Sequence, residues 1–186
     1  VKIIEEDAEP DFLECDSSEL YLDTPFNYQG ELYLKRTLTD FQSYAIYPNT
    51  LRQPQKQSNE PRLSTHGDNI ASIIKKLRAK RRSSALNEII SGMRQVVPDL
   101  ENVTVQAASG YIFPRFFVKP GEGKGHYFDV DQMSDGTLRV LGILVALYQE
   151  LGPGVIALEE PELTVHPGIL QMLAEMIKEV SQRRQI

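Results

Sequence analysis

The stretch Val155-Ile156-Ala157-Leu158-Glu159-Glu160-Pro161-Glu162 is an apolar run closed by consecutive carboxylates and a proline. Four apolar residues bounded by a turn signal upstream and acids downstream read as a short buried strand, with the acids emerging at its C-terminal tip. That tip is where open parallel sheets bind ligands. Two adjacent carboxylates there suit two tasks: one can hold Mg²⁺ through its waters, and the other can orient or deprotonate an attacking water. Taken alone, an ordinary strand ending in a solvated acidic turn accounts for the same residues equally well.

Working outward, Leu138, Leu141, Val145 and Tyr148 recur at helical spacing until Gly152-Pro153-Gly154, and Ile169, Leu173, Met176, Ile177 and Val180 line a closing helix. Helix, buried strand, helix is the rhythm of an α/β fold with a parallel sheet. Leu138, Leu141, Val145, Val155, Ile156, Leu158, Leu173 and Ile177 are expected to share one core. Met133-Ser134-Asp135-Gly136-Thr137 opens the first of these helices. Ser134 is placed as its N-cap, and free backbone N–H groups beside a Gly make an anion site. A plain cap followed by a turn Gly is the simpler account of that segment in isolation.

Together the segments resemble a known family. Met133-Ser134-Asp135-Gly136-Thr137 resembles the ABC signature loop, Val155 to Glu160 the Walker B strand, and Leu163-Thr164-Val165-His166-Pro167 the D-loop region. The wording is most similar to AAA-family ATPases related to RecF and to SMC heads. Upstream, Tyr47-Pro48, Leu51-Arg52, Pro54, Gly67 to Ala71 and Val97-Pro98-Asp99 also resemble that group, so the likeness covers about the last three quarters of the chain, with the specific motifs within Gln132 to Pro167.

The resemblance implies an ABC-ATPase-like lobe that binds ATP and Mg²⁺. By position, Glu160 matches the catalytic glutamate, Glu159 the acid that supports the metal, and Ser134 and Gly136 the residues that reach the γ-phosphate held by an opposite subunit, with Asp135 between them. His166 and Pro167 fall at the dimer-facing D-loop. A homodimer closed by an ATP sandwich follows, controlling DNA or a partner effector protein. The alternative is a non-hydrolysing interaction module in which the same motifs form only a dimer face.

Three departures from the family pattern stand out. Glu159 replaces the more usual Asp, and Asp135 replaces the first signature Gly, putting a negative charge beside a phosphate site. No segment matches the phosphate-binding loop: Gly121-Glu122-Gly123-Lys124-Gly125 has Val118 where the earlier Gly belongs and Gly where Ser or Thr belongs, and it reads as a hairpin turn. Val1 to Ile4 reads as a strand already under way, and another strand starts at Gln185-Ile186, so a fragment of a longer ATPase head is expected. In the family the strand begun there leads to the switch histidine.

Four regions are expected: a strand-rich part over 1–48, a polar loop or linker over 49–67, two helices and a small antiparallel sheet over 68–130, and the ATPase core over 131–186. In the first, Glu19 to Leu22, Glu31 to Leu34 and Phe41 to Tyr47 are strand-like. In the third, Asp68 caps a helix through Ile70, Ile73, Ile74 and Leu77, a second carries Leu86 to Val97, and a hairpin turns at Ala108-Ser109-Gly110 before a third strand over Tyr127 to Val130. His66 and His126 have no metal-ligand spacing around them.

The 186 residues carry a net charge of −6, and ten acids between Ile3 and Leu34 without a single Lys or Arg would repel a phosphate backbone. The run Lys75, Lys76, Arg78, Lys80, Arg81 and Arg82 could meet DNA, but is read first as a solvated helix end. One cysteine, Cys15, excludes an intrachain disulfide. No apolar stretch is long enough to span a bilayer and no signal pattern opens the chain, so a soluble cytoplasmic protein is expected.

Overall fold

A computed structural model describes residues 40–80 and 83–186. The strands expected at Val1 to Ile4, Glu19 to Leu22 and Glu31 to Leu34 lie outside the described residues, as do Cys15, Arg81 and Arg82. The fold is mixed α/β, with a parallel sheet and packed helices.

Strands β1 (Phe41–Tyr44) and β5 (Val155–Leu158) pair in parallel, with Phe41 opposite Val155 and Tyr44 opposite Leu158. The N–H groups of Val155 and Glu159 donate to the carbonyls of Asp40 and Tyr44, at 3.1 and 2.9 Å. Because backbone donors alternate along a strand, the Ile156 N–H points the other way and meets the Gln185 carbonyl at 2.8 Å. Gln185 forms an isolated parallel bridge with Val155, at the position where another strand was expected to start. Ile156 is fully buried, whereas Val155, Ala157 and Leu158 are only half-buried.

Between these strands the chain forms α1 (Pro48–Arg52), α2 (Ile70–Ala79) and α3 (Ser84–Val96), then an antiparallel sheet of β2 (Leu100–Ala108), β3 (Tyr111–Val118) and β4 (His126–Asp129). The β2–β3 hairpin turns through Ser109 and Gly110, both at positive φ (50° and 80°), the pairing a two-residue turn needs to follow the twist of its strands. Pro120 to Gly125 joins β3 to β4, so the Gly-rich segment there is an antiparallel turn rather than a phosphate loop.

Helix α4 (Asp135–Tyr148) occupies the centre, and every residue from Thr137 to Leu147 is buried. Apart from Arg139, its sequence from Leu138 to Leu147 is apolar or glycine on all sides, which suits a helix enclosed in a core rather than one at a surface. Helix α3 packs on it through Gly92, where a side chain would press on Leu144 and on Met176 of α5 (Pro167–Ser181). Of the eight residues expected to share a core, Leu138, Leu141, Val145, Ile156 and Leu173 are buried in it, and Leu158 and Ile177 pack against it half-buried. Val155 is half-exposed and falls outside that cluster, because β5 is not covered on both faces along its length.

One local expectation is corrected. Asn69, not Asp68, occupies the N-cap position of α2, with no side-chain bond to the helix N-terminus. Its amide accepts from the Ser64 N–H at 2.9 Å and donates to the Arg62 carbonyl at 2.9 Å, while Asp68 receives the Ser64 hydroxyl. The polar segment after Pro48 packs into the described fold. Leu51 and Leu63 are buried, Gln55 pairs with Ile112, and its side chain accepts from the Ala71 N–H at 2.9 Å. Gln149 closes the same seam, accepting from the Leu63 N–H at 2.7 Å and donating to the Tyr44 hydroxyl at 2.7 Å. Burial pushes the Tyr44 phenol above its ordinary range.

The described cations of the basic run have partners inside the molecule. Lys75 reaches Gln57 at 2.8 Å, Lys76 the Glu60 carbonyl, Arg78 the Asn102 side chain at 2.6 Å, and Lys80 pairs with Glu150. Among the described residues, no helix is long and apolar enough to cross a membrane. Because Ile156 fills the core and Leu158 only lines it, Ile156→Ala is expected to cost about 2–5 kcal/mol and Leu158→Ala less, read by denaturant unfolding.

Candidate functional site

Glu159 is the first residue past β5, and its N–H makes the last rung to the Tyr44 carbonyl. Its carboxylate accepts from the Ser43 hydroxyl at 2.6 Å, a charge-assisted length. Ser43 is a neighbour of the candidate site that sequence reading missed. Its signal is positional: it is a polar residue within β1, one strand over from the acids.

Glu160 stands exposed with φ 45°, in the left-handed region that a Glu rarely adopts. Its carbonyl accepts from the Leu163 N–H at 3.1 Å and from Arg139 Nη1 at 3.3 Å. The turn continues with Val165 N–H to the Glu162 carbonyl at 3.1 Å, and Thr164 is also left-handed at φ 64°. His166 then caps α5, its Nδ1 accepting from the Gly168 N–H at 3.1 Å ahead of Pro167 at the first helical position.

Ser134 caps α4, as its position in the sequence led us to expect. Its Oγ accepts from the Thr137 N–H at 3.1 Å and shares a hydrogen bond with the Thr137 hydroxyl at 2.8 Å. Asp135 follows in the first helical turn and pairs with Arg52 of α1 at 2.7 Å. Arg52 also donates to the Met133 carbonyl at 2.8 Å and to Asn49 at 3.1 Å, so it straps the capping loop to α1. The charge that Asp135 brings beside the helix N-terminus is thereby met by a cation. Arg52 is a second residue that motif reading did not single out for this site.

The two motifs touch. At Gly136 a Cβ would lie 2.6 Å from the Thr164 carbonyl oxygen, so the N-terminus of α4 and the loop after Glu160 approach backbone to backbone. One turn later Arg139 reaches the Glu160 carbonyl. Ser134, Asp135 and Gly136 are therefore built against the same loop that carries Glu160 and ends at His166.

As a metal site, Glu159 and Ser43 supply only a carboxylate and a hydroxyl. Among the described residues, no group of three or more His, Cys, Asp or Glu could hold a metal by itself. That sparse oxygen set fits Mg²⁺, which keeps most of its waters and takes one or two carboxylates together with phosphate oxygens. It does not fit a dedicated protein cage. A small cavity lined by Lys75, Arg78, Val105, Ala107 and Ile112 involves none of these residues.

Gly136→Ala is expected to destabilise the fold by about 1–3 kcal/mol, because the atom it must displace is backbone. Arg52→Ala, which breaks a partly exposed ion pair, is expected to cost about 1 kcal/mol or less for that pair. Chemical denaturation of both variants checks the order.

No curated protein matches this chain. Residues 9–186 match the family model described as "AAA domain, putative AbiEii toxin, Type IV TA system". That match spans nearly the whole sequence, and the chain belongs to this family of AAA domains, an ATPase-type nucleotide-binding domain.

Proposed function

We propose that the chain is the signature and Walker B portion of an ABC- or RecF-like ATPase head that works as a homodimer closed around ATP. The observation that carries this reading is the contact between α4 and the loop after β5, which packs the Ser134-capped helix start and a pair of strand-tip carboxylates into one unit.

In this reading Glu159, steadied by Ser43, supports Mg²⁺ through its waters. Glu160 accepts the proton of the attacking water. Ser134 and the N–H groups beside Gly136 bind the terminal phosphate presented by a second copy, at the positive end of α4. Asp135 is turned to Arg52, and His166 and Pro167 face the dimer. Bound ATP and Mg²⁺ supply the scissile phosphoanhydride and the charge neutralisation that phosphoryl transfer needs. Closure and opening of the dimer would control a partner effector protein or DNA.

The second reading is a non-hydrolysing interaction module, in which the same contact serves only to shape a dimer face. Mutants of the full-length protein separate the two. Glu160→Gln is expected to keep ATP binding and lower hydrolysis by about 10²–10⁴-fold, since the amide keeps the shape but cannot take a proton. Ser134→Phe is expected to weaken ATP-dependent dimerisation, read by sedimentation, while sparing the same subunit's own nucleotide contacts. Normal hydrolysis by Glu160→Gln would remove that residue from the site, and normal ATP-dependent dimerisation of Ser134→Phe would remove Ser134. The 186-residue chain by itself, with no Gly-rich loop ending in Lys-Ser or Lys-Thr, is expected to release no phosphate above background.

A further inference from the structure

Among the described residues, Arg139 is the only charged side chain that is buried, at 4% exposure. It lies in the second turn of α4, beyond the Ser134 cap, and forms no ion pair among the described residues. Its Nε has no hydrogen-bond partner. A guanidinium taken out of water without a carboxylate is costly, and an apolar residue of similar volume would serve the core better. A local rule broken at such cost inside a core marks a functional demand.

What Arg139 does touch is specific: Nη1 donates at 3.3 Å to the carbonyl of Glu160. That carbonyl belongs to a residue at φ 45°, in a loop that includes a second left-handed residue, Thr164, and is tied internally by backbone bonds from the N–H groups of Leu163 and Val165. Left-handed backbone at a Glu persists only where its surroundings over-determine it. Arg139 supplies that constraint from the most enclosed helix among the described residues.

We infer that Arg139 is a positioning residue: by holding the Glu160 carbonyl it fixes the left-handed turn that aims the Glu160 carboxylate. The inference rests on the reading of Glu160 as the base. It assigns Arg139 no contact with nucleotide. Since α4 also starts at Ser134, the same arginine ties the phosphate-facing cap and the carboxylate turn into one rigid unit.

The test uses the full-length protein with Arg139→Met, Arg139→Lys, Glu160→Gln and the double variant Arg139→Met/Glu160→Gln. Arg139→Met is expected to leave the melting temperature unchanged or raised, because it removes a buried charge at similar volume. It should also leave nucleotide affinity and KM unchanged while lowering kcat on the order of 10- to 100-fold, the scale of a slightly misplaced catalytic group. Without nucleotide, the amides of Leu163 and Val165 should exchange faster with deuterium, as expected of a loop that has lost its anchor. Arg139→Lys should recover part of kcat, and the double variant should fall no lower than Glu160→Gln alone.

Wild-type kcat in Arg139→Met, or wild-type exchange at Leu163 and Val165, would overturn the inference. So would a kcat loss that tracks a lowered melting temperature with no recovery by Lys. Should the Met variant not fold, kcat and amide exchange of the Lys variant decide: unchanged values count against the inference, and a partial loss of kcat with faster loop exchange supports it. Wild-type hydrolysis by Glu160→Gln would instead sink the reading of Glu160, and the exchange measurement would still decide whether Arg139 holds the turn.

Discussion

Helix α4 has no solvent face between Thr137 and Leu147, and the rest of the described structure is arranged to satisfy that enclosure. Helix α3 closes on it at Gly92, Ile46 fills the space left by Gly142, and the Tyr44 ring and Gln149 seal its C-terminal end. At that end Arg184 reaches the carbonyls of Leu147 and Gln149 at 3.4 and 3.3 Å, a cation where the helix dipole is negative. A helix gripped on all sides presents its N-terminus in a fixed place. The cap at Ser134 is thus positioned by the core, not by the loop that precedes it.

Sequence periodicity located this helix because its apolar residues recur, but a helix apolar on all faces does not say which neighbours it will meet. The same limit explains β5. Its four apolar residues read as a strand covered on both faces, and the structure buries only Ile156 fully. The β2–β3 hairpin was legible because Ser109-Gly110 is a local turn with a local cause. The polar segment after Pro48 was not. Gln55 and Gln149 look like surface residues by type, yet they satisfy buried backbone groups 16 and 86 residues away, so polar side chains form a seam of the core.

For the candidate site, the family resemblance pointed to Ser134, Asp135, Gly136, Glu159, Glu160 and His166, since each lies in a short contiguous motif that carries it. Their partners were invisible for a physical reason. Ser43 reaches Glu159 across 116 residues of chain, and Arg52 reaches Asp135 from α1, contacts that only the tertiary fold creates. Arg139 lies close to the motif in sequence, but its burial follows from the enclosure of α4, which only the tertiary fold creates. The negative charge of Asp135, adverse to phosphate when read alone, changes meaning once Arg52 is beside it.

The left-handed backbone at Glu160 sets the protein's evolutionary bias. Glycine accepts that conformation freely and asparagine tolerates it, whereas glutamate pays on the order of 1–3 kcal/mol to remain there. Selection for heat resistance alone would therefore pull position 160 toward Gly or Asn, relaxing the chain while erasing its carboxylate. A lineage that keeps Glu160 is one in which something other than durability is being selected.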